Sequence, residues 1–443
     1  METIASISTP LGKGAIAVVR MSGDKSLVFA RKIFSCKSIQ KDILPRYMYF
    51  GKLEIEENVF EECLMVYFKA PFSYTGEDII EFQVHGGVLL AQKVLEKCIW
   101  AGARLAEPGE FSKRAFLNGK ITLDKAEAII GEINAEAEGE LKSSLQITNG
   151  NLANKIAEQQ DLLKTMLAEI EVGMDYPEET EELSLKLNIT NRLKEIRDTN
   201  KQILERAKSA AYLKNGINVA LVGKTNVGKS SVMNALLGEN RAIVTDVKGT
   251  TRDSIKESLL FNGIKINLID TAGIRKTQDV VESYGIERSK EILNSADLIL
   301  FVVDGSEKLS NEDKQIKNLI KGKTFITLIN KTDKNRIVEK QENEVEISAL
   351  YEKNIEELKQ RILNSVLNEE IDFNSLVLTN QRQVEIIQNA QNIMDEILKA
   401  KEASLDVLSM LIKNLWKELG KITGNTENED IIDLIFSKFC LGK

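Results

Sequence analysis

The order of hydrophobic and polar positions divides the chain into stretches that favour different secondary structure. In residues 1–118, short apolar runs between turn residues predict strands at 15–21 and 63–68. Amphipathic stretches in the same region predict helices at 25–34 and 87–100. Because strands and helices mix in this way, we expect an α+β domain over residues 1–118.

A different pattern, with apolar residues three and four positions apart, runs over residues 123–170 and predicts long amphipathic helices. Pro177 interrupts it, and a second periodic run covers residues 183–212. The same period returns near the C-terminus, over residues 376–403, 404–419 and 430–439. We therefore expect one helical domain built from two chain segments, residues 119–213 and 371–443.

Between these helical segments, residues 214–370 alternate strand and helix patterns. Apolar runs predict buried strands at 219–222, 264–269, 298–303 and 324–329. This alternation is typical of a doubly wound α/β domain with a parallel sheet. The expected fold is thus multidomain, with this α/β domain inserted into a helical domain, because exposed loops of a host readily accept an inserted domain.

Composition narrows the classes of function. A net charge of −8 argues against a broad basic surface, so contact with nucleic acid needs a local patch or a partner protein. The single histidine, His85, argues against a Ser-His-Asp mechanism, and four scattered cysteines without a CxxC pair argue against a zinc site. No apolar run has the length of a membrane span or the layout of a signal peptide, and we expect a cytoplasmic protein.

The stretch from Gly223 to Ser230 has the spacing of a phosphate-binding loop, GxxxxGKS. Its glycines let backbone N–H groups wrap a phosphate, while Lys229 reaches the β- and γ-phosphates and Ser230 ligates Mg²⁺. A helix from residue 231 onward adds a favourable dipole. The sequence therefore predicts a nucleotide site that includes Asn226, Val227, Gly228, Lys229, Ser230 and Ser231.

Four further motifs follow in the order that a guanine-nucleotide switch needs. Gly249-Thr250-Thr251 offers a hydroxyl to Mg²⁺, and Asp270-Thr271-Ala272-Gly273 offers a carboxylate and a backbone N–H near the γ-phosphate. In Asn330-Lys331-Thr332-Asp333, the aspartate accepts two hydrogen bonds, from the guanine N1–H and 2-amino group, and the lysine lies along the base. Ser348-Ala349-Leu350 places a backbone N–H near the guanine carbonyl. Five motifs in this order predict that the inserted domain is a Ras-like P-loop G domain that binds GTP.

Hydrolysis needs another group, because Ile274 stands where Ras-like switches have a glutamine that orients water. Glu282 lies a few residues on and can orient water, although its spacing alone favours an exposed helix residue. Asn226 can offer its side-chain oxygen to a monovalent cation, which would supply the missing positive charge.

Two turn-rich stretches stand out in the N-terminal domain, at residues 71–78 and 85–87. Polar residues beside glycine turns can line a small-molecule site. The alternative is that these residues only form turns, and composition alone favours that reading.

The chain as a whole resembles the MnmE (TrmE) family of tRNA modification GTPases, within the TrmE-Era-EngA-type GTPases. The resemblance rests on TNVGKSS in the phosphate loop, TDVKGTT at 245–251, DTAGIR at 270–275 and the terminal FCLGK. It also rests on TIASISTPLGKGAIAVVRMSG, PFSYTGEDIIEFQVHGG and EPGEFSKRAFLNGKITLDKAEA in the N-terminal part. These stretches cover essentially the full length, and the Cys-x-Gly-Lys ending is specific to that family.

The resemblance implies a homodimer that works on tRNA with the FAD-containing protein MnmG (GidA), in a heterotetramer. Such proteins build a carboxymethylaminomethyl-type group on C5 of the wobble uridine, position 34, in certain tRNAs. In the family, K⁺ drives G-domain dimerisation and hydrolysis, and Glu282 matches the catalytic carboxylate. The matching K⁺ ligands are Asn226, Thr245, Val247 and Thr250, and the Mg²⁺ ligands are Ser230 and Thr251. The same loop includes Asp246, Lys248 and Gly249, and Lys248 stands where a small residue is common.

The N-terminal domain is similar to tetrahydrofolate-binding folds, which implies a 5-formyl- or 5,10-methylene-tetrahydrofolate at a dimer interface. The residues that match the family's folate contacts are Arg20, Glu81, Lys120 and Lys443. Cys440, in the tail motif, is a candidate nucleophile, and a packing role accounts for it equally well.

Two rival functions stay open at this point. A ribosome-assembly GTPase shares the K⁺-type switch but lacks the folate-like domain and the Cys-x-Gly-Lys tail. A signalling or scaffold GTPase needs no enzymatic partner, and its hydrolysis need not depend on K⁺.

Overall fold

The computed structural model describes residues 2–37, 42–178, 181–238, 256–270, 292–367, 376–400, 403–440 and 442. The chain divides into two compact units. The first is made of Met1–Ile130, Ile147–Ile196 and Glu385–Lys443, and the second of Gly131–Gln146 and Arg197–Val384. The domain boundaries that we expect from the sequence stay predictions.

The N-terminal part of the first unit, in the residues that the structure describes, is a seven-stranded sheet with three helices. Its strands are β1 (Ile4–Ile7), β2 (Ile16–Ser22), β3 (Phe34–Ser35), β4 (Met48–Glu56), β5 (Val59–Phe68), β6 (Ile79–His85) and β7 (Arg104–Leu105). Its helices are α1 (Ser26–Ile33), α2 (Val88–Ala101) and α3 (Glu110–Leu117). The strand order is β3-β4-β5-β6-β2-β1-β7. Buried side chains of α1 and α2 share a core with Met21 and Phe82 of the sheet, which confirms the predicted α+β character.

The periodic middle of the chain forms α4 (Leu123–Asn134), α5 (Glu138–Thr148), α6 (Asn151–Asp175) and α7 (Glu182–Asn215). Helix α6 ends two residues before Pro177, as the interrupted pattern predicts. The break between α4 and α5 contains no proline or glycine, so the sequence has no helix-breaking residue that would mark it. Gly131 of α4 lies against α5, where an added Cβ would be 2.4 Å from the Ser144 hydroxyl oxygen.

The second unit contains the predicted parallel sheet. Its elements are β8 (Ile217–Val222), α8 (Lys229–Leu237), β9 (Lys256–Phe261), β10 (Ile264–Asp270), β11 (Leu298–Asp304), α9 (Asn311–Leu319), β12 (Phe325–Asn330), β13 (Glu344–Glu346) and α10 (Ile355–Val366). The described strands run in the order β13-β12-β11-β8-β10-β9, and β9 pairs antiparallel with β10 while the other pairs are parallel. Because parallel strands end at one edge, the loops after β8, β10, β11 and β12 meet there.

The C-terminal helices are α11 (Gln381–Lys399), α12 (Leu405–Thr423) and α13 (Glu429–Phe436). Helix α12 packs along α6, where the Gln160 amide donates to the Trp416 carbonyl oxygen at 3.0 Å. Helix α13 packs on α3, and a Cβ on Gly109 would lie 2.2 Å from the Phe436 carbonyl oxygen. None of the described helices combines the length and the hydropathy that crossing a membrane requires.

Candidate functional site

The phosphate loop joins β8 to α8, and its backbone passes close to neighbouring chain at two glycines. A Cβ on Gly223 would lie 2.4 Å from the Val302 carbonyl oxygen. Gly228 has a φ of +94°, and a Cβ there would lie 2.5 Å from the Asn330 amide nitrogen. Asn226 also adopts a left-handed φ, +64°, which turns the loop between the two glycines. The spacing GxxxxGKS is therefore needed by this backbone.

Lys229 is the first residue of α8 and lies beneath the phosphate loop. Its side-chain amine donates to the carbonyl oxygens of Gly223 and Lys224, each at 2.7 Å, and the residue is 8% exposed. Ser230 and Ser231 follow it in the first turn and are exposed. The loop thus holds an ammonium group beside a helix N-terminus, an arrangement that binds phosphate.

Asn330 ties the phosphate loop to the loops that follow β12 and β13. It is 2% exposed, its amide donates to the Val227 carbonyl oxygen at 2.9 Å, and its side-chain oxygen accepts from the Ala349 N–H at 3.1 Å. The Thr332 N–H donates to the Ile347 carbonyl oxygen at 3.2 Å. The structure therefore brings three of the predicted motifs together at one edge of the sheet.

The two charged residues predicted to meet guanine are both held by neighbours. The Ser348 hydroxyl donates to the Asp333 carboxylate at 2.6 Å. Lys331, in a left-handed conformation with φ +66°, donates to the Asn226 carbonyl oxygen at 2.9 Å. Leu350 is 74% exposed beside them. A carboxylate and a lysine stem fixed in this way can meet the edge and the face of a purine.

Asp304, at the end of β11, is a residue of this site that the sequence motifs missed. Its carboxylate lies 2.6 Å from the Lys331 amine and also accepts from the Ser306 N–H and hydroxyl. Burial acts to raise the pKa of Asp304, but the hydrogen bonds from Lys331 and Ser306 outweigh it and lower that pKa below its usual value. The available signal was an acidic residue directly after the apolar run LILFVV.

Asp270 ends β10 and pairs in register with Leu221 of β8, next to the phosphate loop. That position suits a carboxylate that approaches Mg²⁺ through water. Other predicted site residues lie outside the described residues: Thr245, Asp246, Val247, Lys248, Gly249, Thr250, Thr251, Thr271, Ala272, Gly273, Ile274, Glu282 and Lys443.

In the N-terminal sheet, Arg20 and Glu81 stand opposite each other on β2 and β6. The guanidinium Nε and the carboxylate oxygen are 2.8 Å apart. The guanidinium carbon also lies 5.7 Å from the ring centre of Tyr74 and 5.7 Å from that of Phe111. Lys120 donates to the carbonyl oxygen of Pro71 at 2.8 Å. Of the predicted folate residues, Arg20 and Glu81 therefore contact each other directly, and Arg20 and Lys120 both contact the turn of residues 71–78.

Beneath this turn lies an ion-pair network that the sequence did not predict. The buried Arg114 guanidinium contacts Glu77 at 3.0 Å and Glu110 at 2.8 Å, and Arg104 contacts Glu110 at 2.7 Å. Burial acts to raise the pKa of Glu110, but hydrogen bonds from Arg104, the Glu107 N–H and Arg114 lower it to about 2. Glu110 is therefore ionised at neutral pH, and the network fixes Glu77 within the turn.

The chain's C-terminal tail lies against β1. The Ser8 hydroxyl donates to the Gly442 carbonyl oxygen at 3.3 Å, and a Cβ on Gly442 would lie 2.2 Å from the Ile7 carbonyl oxygen. Gly442 has a φ of +95°, so glycine is required at this contact. Cys440, two residues earlier, is exposed. Gly442 is thereby placed at the end of β1, the strand whose Ser6 pairs with Arg20.

Two other thiols cannot act as nucleophiles at neutral pH. Burial raises the pKa of Cys98 to about 12. Burial, helped by the charge of Glu61, raises the pKa of Cys63 to about 12. A thiol with such a pKa is almost fully protonated, so neither residue supplies a thiolate.

Comparisons with known proteins give two matching family models, "GTP-binding protein TrmE N-terminus" over residues 3–120 and "MnmE helical domain" over residues 123–440. The tRNA modification GTPase MnmE of Clostridioides difficile is 43% identical, over 100% of this chain and 99% of its own. The chain belongs to the MnmE family. The corresponding MnmE of Streptococcus gordonii is 38% identical over the same shares. As a member of the MnmE family, the protein is a GTP-hydrolysing enzyme.

Among solved structures, an Era variant of Aquifex aeolicus bound to GDP and AlF4⁻ matches 40% of this chain and 66% of its own. The identity is 31% and the TM-score is 0.27. The N-terminal and helical parts of this multidomain α/β protein are identified by the two family models and not by this match.

Proposed function

We propose that this protein uses GTP hydrolysis to drive modification of the wobble uridine of certain tRNAs. The observation that carries the proposal is the meeting of the phosphate loop, the Asn330–Asp333 loop and the Ser348–Leu350 loop at one sheet edge. In this assignment Lys229 binds phosphate and Asp333 accepts hydrogen bonds from the guanine N1–H and 2-amino group. The relatives named as tRNA modification GTPases support tRNA as the substrate.

Two cations fit the residues at the phosphate side. Ser230 in the first turn of α8 and Asp270 at the end of β10 have the oxygen donors that Mg²⁺ prefers, and Thr251 would complete the set. The exposed Asn226 side chain offers an oxygen to K⁺, with Thr245, Thr250 and the Val247 carbonyl as further ligands. A K⁺ ion supplies positive charge near the developing phosphate charge, and Glu282 would orient the attacking water.

Hydrolysis should be at least about tenfold faster in KCl than in NaCl, because positive charge at this place is worth several orders of magnitude in related reactions. The measurement is phosphate release at matched ionic strength. An Asn226→Ala variant should lose the preference for K⁺ and keep a slow basal rate. Equal rates in the two salts would remove the cation from the mechanism and favour a generic switch.

For the one-carbon donor we propose 5-formyl- or 5,10-methylene-tetrahydrofolate at the turn of residues 71–78. The side chains there suit a folate. The guanidinium of Arg20 and the ammonium of Lys120 can donate to its carboxylates or its carbonyl, and the carboxylate of Glu81 can accept from its N–H groups. Aromatic rings of Tyr74 and Phe111 flank Arg20, and Lys443 follows the docked Gly442. The proposed assembly is a homodimer that joins the FAD-dependent MnmG in the cytoplasm.

The decisive test is nucleoside mass spectrometry of tRNA from cells that lack this protein. We expect the modified wobble uridine to disappear, to return with the intact gene, and to stay absent with a Lys229→Ala gene. Unchanged wobble uridine in the deletion strain would contradict a role in tRNA modification while leaving GTP hydrolysis intact. Ribosome profiles from the same strain would then test the ribosome-assembly alternative.

A further inference from the structure

Asp304 and Asn330 end neighbouring parallel strands and stand in register with each other. The chain continues from Asn330 directly into Lys331, whose left-handed φ of +66° turns it toward β11. The Asp304 side chain is 5% exposed and the Lys331 side chain is 29% exposed. This pair therefore lies at the inner side of the predicted guanine-binding loop.

The Lys331 amine is held at two points. It lies 2.6 Å from one Asp304 carboxylate oxygen and 2.9 Å from the Asn226 carbonyl oxygen of the phosphate loop. The other Asp304 oxygen accepts from the Ser306 N–H at 2.9 Å and from the Ser306 hydroxyl at 2.7 Å. Because both carboxylate oxygens have partners, the carboxylate cannot rotate freely, and it fixes the amine in turn.

A lysine side chain ordinarily samples many rotamers, and ordering it costs free energy. In this protein that cost falls on folding, because both groups that anchor the amine, the Asp304 carboxylate and the Asn226 carbonyl oxygen, belong to the chain itself. A stem already in place offers a ready surface for a purine, and preorganisation of this kind raises affinity. The carboxylate also balances the lysine charge in a partly buried place.

We infer that Asp304 is a positioning residue for nucleotide binding, which holds the Lys331 stem where it contacts the purine face. The inference rests on the proposed placement of guanine beside Lys331 and Asp333. Since a lysine stem packs on any purine, Asp304 contributes to affinity for GDP and for inosine diphosphate alike. Discrimination between these two bases comes instead from Asp333, which meets the 2-amino group.

The test measures dissociation constants of fluorescent GDP and inosine diphosphate for a set of full-length variants. Asp304→Asn should weaken both nucleotides about tenfold, because it removes the charge that anchors the amine. In a Lys331→Ala background the same change should alter either constant less than about twofold, since its target is already absent. Ser306→Ala, which leaves the Asp304 charge in place, is the matched control and should cost about twofold.

The outcomes separate the inference from the proposed site. If Asp304→Asn weakens binding equally with and without Lys331, it acts on the fold and the inference is wrong. If Lys331→Ala weakens binding but Asp304→Asn does not, the inference alone fails. If Lys331→Ala itself leaves both constants unchanged, the proposed guanine site is wrong as well. Should Asp304→Asn prove unstable, Asp304→Glu serves instead: a loss of affinity that disappears in the Lys331→Ala background supports the inference, and an equal loss in both backgrounds contradicts it.

Discussion

Asp333→Asn should weaken GTP binding about 10³-fold and create binding of xanthosine triphosphate. The aspartate accepts two hydrogen bonds from guanine, and each hydrogen bond to a charged group contributes about 1.5–3 kcal/mol. An asparagine has one oxygen to accept the N1–H and an amide that faces the guanine 2-amino group, donor against donor. Xanthine carries an oxygen at that position and restores the match. Titration of both fluorescent nucleotides against wild type and variant measures the exchange.

Ser348→Ala is the matched control for this change. It removes the hydroxyl that donates to the Asp333 carboxylate at 2.6 Å but leaves both guanine acceptors in place. We expect a loss of about threefold to tenfold for GTP and no gain for the xanthine nucleotide, because the hydroxyl positions the carboxylate without contacting the base. Wild-type affinity for GTP in Asp333→Asn would mean that the base lies elsewhere.

The nucleotide site is the part of the molecule that the sequence predicts best, because its geometry is local. Gly223 and Gly228 lie within one short loop, and the loop conformation follows from their spacing. Asn330 shows the limit of such reasoning. The motif predicts a polar residue there, but its bonds to Val227 and Ala349 become visible only when strand order is known.

Other residues were missed because their partners are distant in sequence. Asp304 and Lys331 meet through the pairing of β11 with β12, and Arg114 meets Glu77 through the packing of α3 on the turn of residues 71–78. Strand β4 was missed for a different reason. Met48 and Phe50 are apolar yet exposed, so the alternation of polar and apolar residues that marks a half-buried strand is absent from its first half.

The turn at residues 71–78 also depends on contacts that the local sequence does not show. Composition favoured turns without function at residues 71–78, whereas the structure surrounds them with charged groups. Arg20 and Lys120 reach this turn from a strand and from the end of α3, and Arg114 fixes Glu77 inside it. These contacts tie the turn to α3 and to the chain that follows it, and they restrict the conformations that the turn can adopt. A preformed polar turn is what a ligand site requires, and this supports the folate proposal over the simpler reading.

Lys229→Ala should lower kcat/KM for GTP about 10³-fold. The ammonium group beneath the loop donates to the carbonyl oxygens of Gly223 and Lys224, so it is already positioned when the phosphates arrive. Removing one preorganised donor to a developing phosphate charge typically costs about 10²–10³-fold in kcat, and weaker ground-state binding adds to that loss. Steady-state phosphate release and fluorescent GDP titration separate the two contributions.

Lys224→Ala is the control from the same loop. Its amine contacts Glu307 at 2.8 Å and the buried Asp313 at 3.7 Å, and the hydrogen bond to Glu307 raises the pKa of Lys224 above its usual value. That lysine faces acidic side chains, whereas Lys229 lies beneath the loop, so we expect its loss to change kcat/KM less than about tenfold. Comparable losses in the two variants would mean that general charge near the loop, and not a positioned ammonium, governs hydrolysis. Lys229→Arg sharpens the distinction, because it keeps the charge but replaces a compact ammonium by a larger planar group beneath a close-fitting loop.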